Sequence, residues 1–172
     1  MNCRGSGYTF GMETISLQQK KTRRAYILSI AAALAIGALG SILTRKGMEA
    51  FTNVNQPKLS PPMWLFPVVW TILYILMGIS AAMIYETRSE DRREALLIYG
   101  LQLFMNFAWT VLFFGFGWYL AAFIWIVVLE AVIVITIATF AEIRPKACYL
   151  LVPYALWVAF AAYLNLGVYL LN

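Results

Sequence analysis

Residues Ser60–Glu86 read SPPMWLFPVVWTILYILMGISAAMIYE. Ser60 is a residue type that caps helices, and Pro61 suits a first helical position because its missing N–H would have no partner there. From Leu59 to Tyr85 no residue is charged. That run is long enough to cross a hydrocarbon core of about 30 Å at about 1.5 Å per residue. Leucine and valine alone would dissolve in lipid, yet this stretch also carries Trp64, Trp70, Tyr74 and Tyr85. It places large flat rings inside a membrane, and the rest of the chain can be read by asking what they face.

Of 172 residues, 62% are hydrophobic and 12% charged, a balance outside the range of water-soluble domains. The apolar runs are continuous rather than alternating, which excludes a β-barrel and predicts an all-α membrane protein with five transmembrane helices. The spans fall at about 26–43, 62–86, 95–115, 118–140 and 148–171. Together they make one domain, 25–172, behind a flexible basic tail, 1–24, in which Met12 is an equally good start. The run after the tail is too long for a signal peptide. There is no histidine, and Cys3 and Cys148 lie far apart, so neither a metal site nor a disulfide is expected.

In span 1, Ala33, Gly37 and Ser41 recur every fourth residue and form a small-residue packing face. Ser89, followed by Glu90 and Asp91, is a start signal for span 3. Gly115-Phe116-Gly117 leaves only a tight turn before span 4, and Pro145 suits the start of the last helix. Ten of the 13 Lys and Arg residues fall in the tail and in the loops on its side of the membrane; Arg45, Lys46 and Lys58 lie in the loop after span 1. The positive-inside rule then puts the N-terminus in the cytoplasm and that loop outside. The net charge of +5 serves orientation and contact with lipid headgroups, not nucleic acid.

Polar and aromatic residues share helical faces. In span 3 these are Gln102, Asn106, Trp109 and Phe113, at spacings of four, three and four. In span 5 they are Trp157, Ala161 and Asn165; in span 2, Trp70, Tyr74, Met77 and Ala81. An amide facing lipid would leave its hydrogen-bonding groups unpaired, so these stripes point into the bundle. Two readings stay open at this point. The stripes line an apolar ligand pocket, or the amides simply join helices around packed rings. Trp64, Trp118, Tyr119 and Tyr169 form an interfacial aromatic belt, and Pro67 and Pro153 loosen the backbone near span ends. Glu130 is the one acid well inside a span and is either a proton or cation site or a structural hydrogen-bonding group. No paired carboxylates or phosphate-binding glycine loop supports acid–base or nucleophilic catalysis.

Three ordered motifs carry a resemblance. The first runs Pro61-Pro62-Met63-Trp64 through Phe66-Pro67-Val68-Val69-Trp70-Thr71-Ile72-Leu73-Tyr74 to Met77-Gly78. The second is Gln102 with Asn106-Phe107-Ala108-Trp109 and Phe113-Phe114-Gly115; the third is Pro153-Tyr154-Ala155-Leu156-Trp157 with Phe160-Ala161 and Leu164-Asn165. From about residue 25 onward the chain resembles the TspO/translocator protein family, in its bacterial form. That resemblance implies a five-helix bundle, a homodimer in a bacterial cell membrane, and an intramembrane pocket under loop 1 for protoporphyrin IX and other hydrophobic ligands. Porphyrin is implied as ligand, with no cofactor required. Trp70 and Trp157 fall on positions tied to porphyrin binding and its light-dependent oxidative breakdown. Tyr74, Gln102, Asn106, Trp109, Phe113, Ala161 and Asn165 fall on ligand-binding positions, with Pro62 and Trp64 at the outer rim. Arg45, Lys46 and Lys58 are placed to meet propionates. A transporter of porphyrins or lipophilic cations is the alternative. Leu59 stands where some members have tryptophan, and the chain ends without the basic residue of the animal sterol pattern, which counts against sterol binding.

Overall fold

The structure, a computed structural model, describes the backbone of residues 6–172 and the side chains of residues 19–172. Helix α1, Ser6–Leu43, leads into a short α2, Arg45–Phe51, and then α3, Leu65–Glu86. Helix α4, Arg92–Thr110, ends in a π-helical turn, Val111–Gly115. Helix α5, Tyr119–Ile143, is followed by α6, Pro145–Tyr149, and α7, Val152–Leu171. Five segments are long and apolar enough to cross a membrane: Gln19–Leu43, Leu65–Glu86, Arg92–Gly115, Tyr119–Ile143 and Pro145–Leu171. The outward faces confirm it, because Leu28, Ile42, Leu97, Phe104, Ile124 and Leu170 are all exposed where a water-soluble protein would be polar.

Two starts differ from expectation. The tail expected to be flexible over residues 1–24 is helical from Ser6; residues 1–5, with Cys3, lie outside the described residues. No proline interrupts the approach to span 1, and Gln18, Gln19, Lys20 and Lys21 are good helix formers. Helix α3 begins at Leu65, not at Pro61. Ser60 and Pro61 each precede a proline, which disfavours helical backbone there, and the Leu65 N–H donates instead to the Pro62 carbonyl at 2.9 Å. Pro67 therefore occupies the first turn, where its missing donor costs nothing. Pro145 does open α6, as expected. The last span breaks at Leu150–Leu151 and resumes as α7 at Val152; without an N–H, Pro153 cannot bond the Tyr149 carbonyl and carry the first helix onward.

Close backbone approach sets the packing. A Cβ on Gly78 would sit 2.5 Å from Cα of Ile30, so α1 and α3 meet almost without side chains between them. Between α4 and α5, Gly117 turns the chain at φ +66°, and Trp125 Nε1 donates to the Met105 carbonyl at 2.8 Å. Loop 1 folds back over the end of the bundle where α1 stops and is fastened twice. Gly47 of α2 lies against the Phe114 carbonyl in the π-helical turn. Further on, the Asn55 N–H donates to Asn172 Oδ1 at 3.1 Å, Asn172 Nδ2 donates to the Asn55 carbonyl at 3.0 Å, and Pro57 packs on Gly167.

Candidate functional site

The expected face of α4 is buried in order: Gln102, Asn106, Trp109 and Phe113 are all within the bundle. Their amides do not behave alike. Asn106 joins three helices, its Oδ1 accepting from Tyr74 Oη at 2.9 Å and its Nδ2 donating to Tyr154 Oη at 3.0 Å. Asn165 accepts from Trp109 Nε1 at 3.1 Å and donates to the Tyr119 carbonyl at 2.7 Å. Gln102 is buried with neither side-chain atom paired within the protein, as are the Tyr99 hydroxyl and Glu130 Oε2. The two asparagines differ: Asn106 joins helices, while Asn165 does so and also faces a cavity.

That cavity, of about 100 Å³, lies between α1, α3, α4 and α7 beneath loop 1. Its walls are rings in series. Trp70 stands 5.7 Å from Tyr74 and 6.4 Å from Trp109, and Trp109 stacks on Phe113 at 5.4 Å. Phe51 of α2 closes the outer end, 5.3 Å from both Phe113 and Phe114. Centroid separations of 4.5–7 Å are those at which aromatic pairs attract beyond simple burial. Gly37 lies directly against the Tyr74 ring, so the small face of α1 makes room for a wall residue as well as for packing. Polar groups in the lining are uncharged: Gln56, Ser60, Thr110 and Asn165 are among them.

Trp70, Tyr74, Trp109, Phe113, Ala161 and Asn165 therefore come together around one space. Others do not. Gln102 and Asn106 lie outside the lining, and Asn106 reaches it through Tyr74 and through Thr110, whose Oγ1 donates to the Asn106 carbonyl at 3.2 Å. Trp157 points elsewhere. It is half-buried, its Nε1 has no partner, and Phe66, 5.9 Å away, stands between it and the cavity. Trp157, Ala161 and Asn165 share helix α7, but a strict spacing of four drifts by about 40° per step, so Trp157 stands about 80° round the helix from Asn165. Pro62 and Trp64 are exposed and belong to the rim, whereas Met63 and Phe66 turn inward. Arg45, Lys46 and Lys58 are exposed outside the lining, and Arg45 already bonds Glu49 at 3.3 Å. Of the aromatic belt, Trp64, Trp118 and Tyr169 are exposed, but Tyr119 turns in against Phe113 at 5.2 Å. The resemblance implied a cover by loop 1, but sequence reasoning missed Met48, Phe51 and Gln56, since nothing in a connecting segment reveals which of its side chains turn inward.

Such an architecture defines a polytopic helical membrane protein with an aromatic-walled cavity beneath loop 1. The TspO/MBR family model matches residues 29–170, and the chain belongs to that family. It is 40% identical over 148 residues to the tryptophan-rich protein TspO of Chlorobaculum tepidum, covering 84% of this chain and 94% of that one. To the tryptophan-rich sensory protein of Cereibacter sphaeroides it is 33% identical, covering 86% and 90%. To the translocator protein of Ovis aries it is 34% identical, covering 75% and 79%.

Proposed function

We propose that this chain is a membrane receptor or sensor for porphyrins such as protoporphyrin IX, bound in the chamber under loop 1. The observation that carries this reading is the ring series Trp70, Trp109, Phe113 and Phe51 around a space with no charged lining residue. A flat conjugated macrocycle offers such walls stacking over its whole face. The printed names of relatives, a sensory protein and a translocator protein, agree with a ligand-handling role. At about 100 Å³ the chamber is below the roughly 300 Å³ at which pockets for drug-sized ligands begin, so binding requires loop 1 to lift. A lifted loop brings exposed Lys46 and Lys58 to the mouth, where propionates would emerge. Titrating purified protein with protoporphyrin IX should quench tryptophan fluorescence saturably; no saturable quenching in wild type would sink the proposal.

A second activity rests on Trp70, an oxidisable ring on the chamber wall. In light and with oxygen as oxidant, bound porphyrin would be broken down, giving a new absorbing product that is absent in the dark and lost in Trp70→Phe. Transport has its own observation, the unpartnered Glu130 Oε2 within α5. Porphyrin flux into proteoliposomes that disappears in Glu130→Gln would favour transport, and tight binding without flux would exclude it.

A further inference from the structure

A second cavity, of about 740 Å³, opens at the opposite end of the bundle from loop 1, between α1, the end of α3 and the α5–α6 junction. Three cations line it, Lys21, Arg24 and Arg144, against one acid, Glu86. Among the described residues the one ion pair is Arg45–Glu49, so within that set none of these three is ion-paired with a carboxylate. Arg144 is held in place: its Nη1 donates to the Met83 carbonyl at 3.1 Å, which fixes the guanidinium and leaves further N–H groups to donate. The hydroxyl-bearing Thr22 and Ser29 stand in the same lining.

Along α1 the lining changes character with depth. Lys21, Ala25 and Leu28 follow at spacings of four and three on one face, and Arg24 and Leu28 are four apart. Seven residues from Lys21 to Leu28 span about 10 Å along the axis. Cationic groups thus stand above an apolar wall that ends in Leu28, 68% exposed on the outside of the bundle. A free phosphate would use only the upper part. A lipid uses both, its phosphate among the cations and its acyl chain along Ala25 and Leu28.

We propose that this cavity binds the phosphate headgroup of an anionic membrane lipid, with Lys21, Arg24 and Arg144 as its donors. Native mass spectrometry of the full chain in detergent, titrated with phosphatidylglycerol or phosphatidylcholine, tests it. Phosphatidylglycerol should bind about tenfold tighter or more. Lys21→Gln should cost about fivefold of that, and Lys21→Gln/Arg24→Gln should abolish the preference. Arg88→Gln/Arg93→Gln, which removes two exposed charges at the same end but outside the cavity, should leave it intact. An unchanged preference in both Lys21 variants would overturn the site. Equal loss in the Arg88 and Arg93 variant would show diffuse surface charge instead, and displacement of phosphatidylglycerol by inorganic phosphate would replace the lipid with a free anion.

Discussion

Asn106 shows how one side chain determines the floor of the chamber. It accepts from Tyr74 and donates to Tyr154, and all three groups are buried. Replacing it by leucine strands both phenol hydroxyls away from water, each at a cost of about 1–3 kcal/mol. Thermal unfolding in detergent should therefore fall clearly for Asn106→Leu. It should fall less for Tyr74→Phe, which removes one hydroxyl and leaves one amide oxygen short; an unshifted melting curve in Asn106→Leu would show that these bonds contribute nothing. The face to which Asn106 belongs was legible in the sequence, because four polar and aromatic residues at helical spacing cannot all face lipid. Which amide would join helices and which would face the chamber was not legible, since that depends on partners on α3 and α7 that periodicity leaves unspecified.

At the scale of elements, the glycines separate close contacts from open space. A Cβ on Gly78 would meet the backbone of Ile30 at 2.5–2.8 Å, whereas a Cβ on Gly100 would meet nothing within 4 Å. Gly78→Ala must force α1 and α3 apart and should lower the melting temperature; Gly100→Ala should raise it or leave it unchanged, gaining up to about 1 kcal/mol of helix propensity. Equal shifts in the two would contradict the packing. The cover gives a second contrast. Gly47→Val would drive a side chain into the Phe114 carbonyl and lift α2, so protease should cut loop 1 faster in that variant while the spans stay protected. Unchanged cleavage would mean that the loop is not held there. Span number and approximate ends could be read in advance because apolar length and charge are properties of the chain itself. Helix α2 and the later start of α3 could not: a seven-residue helix is marginal alone and forms here against the π-helical turn, and consecutive prolines set the α3 start by local sterics. Trp157 lies off the cavity lining because residues at a strict spacing of four drift round a helix of about 3.6 residues per turn, so it does not share the direction of Asn165.

For the whole molecule, the two cavities lie at opposite ends, one aromatic and capped, the other basic and open. The positive-inside rule predicts that the basic end faces the cytoplasm. In intact bacterial cells a membrane-impermeant maleimide should label Lys46→Cys but not Arg88→Cys, both exposed positions; the reverse pattern would invert the molecule. The central claim is that ligand enters the chamber walled by Trp70 and that Trp157 stands outside it. The most direct measurement compares protoporphyrin IX affinity in Trp70→Ala and Trp157→Ala, read from porphyrin absorbance so that losing a tryptophan does not disturb the signal. Affinity should fall about tenfold in Trp70→Ala, the loss of one stacked ring, and stay within about threefold of wild type in Trp157→Ala. An unchanged Trp70→Ala, or a larger loss in Trp157→Ala, would contradict the account.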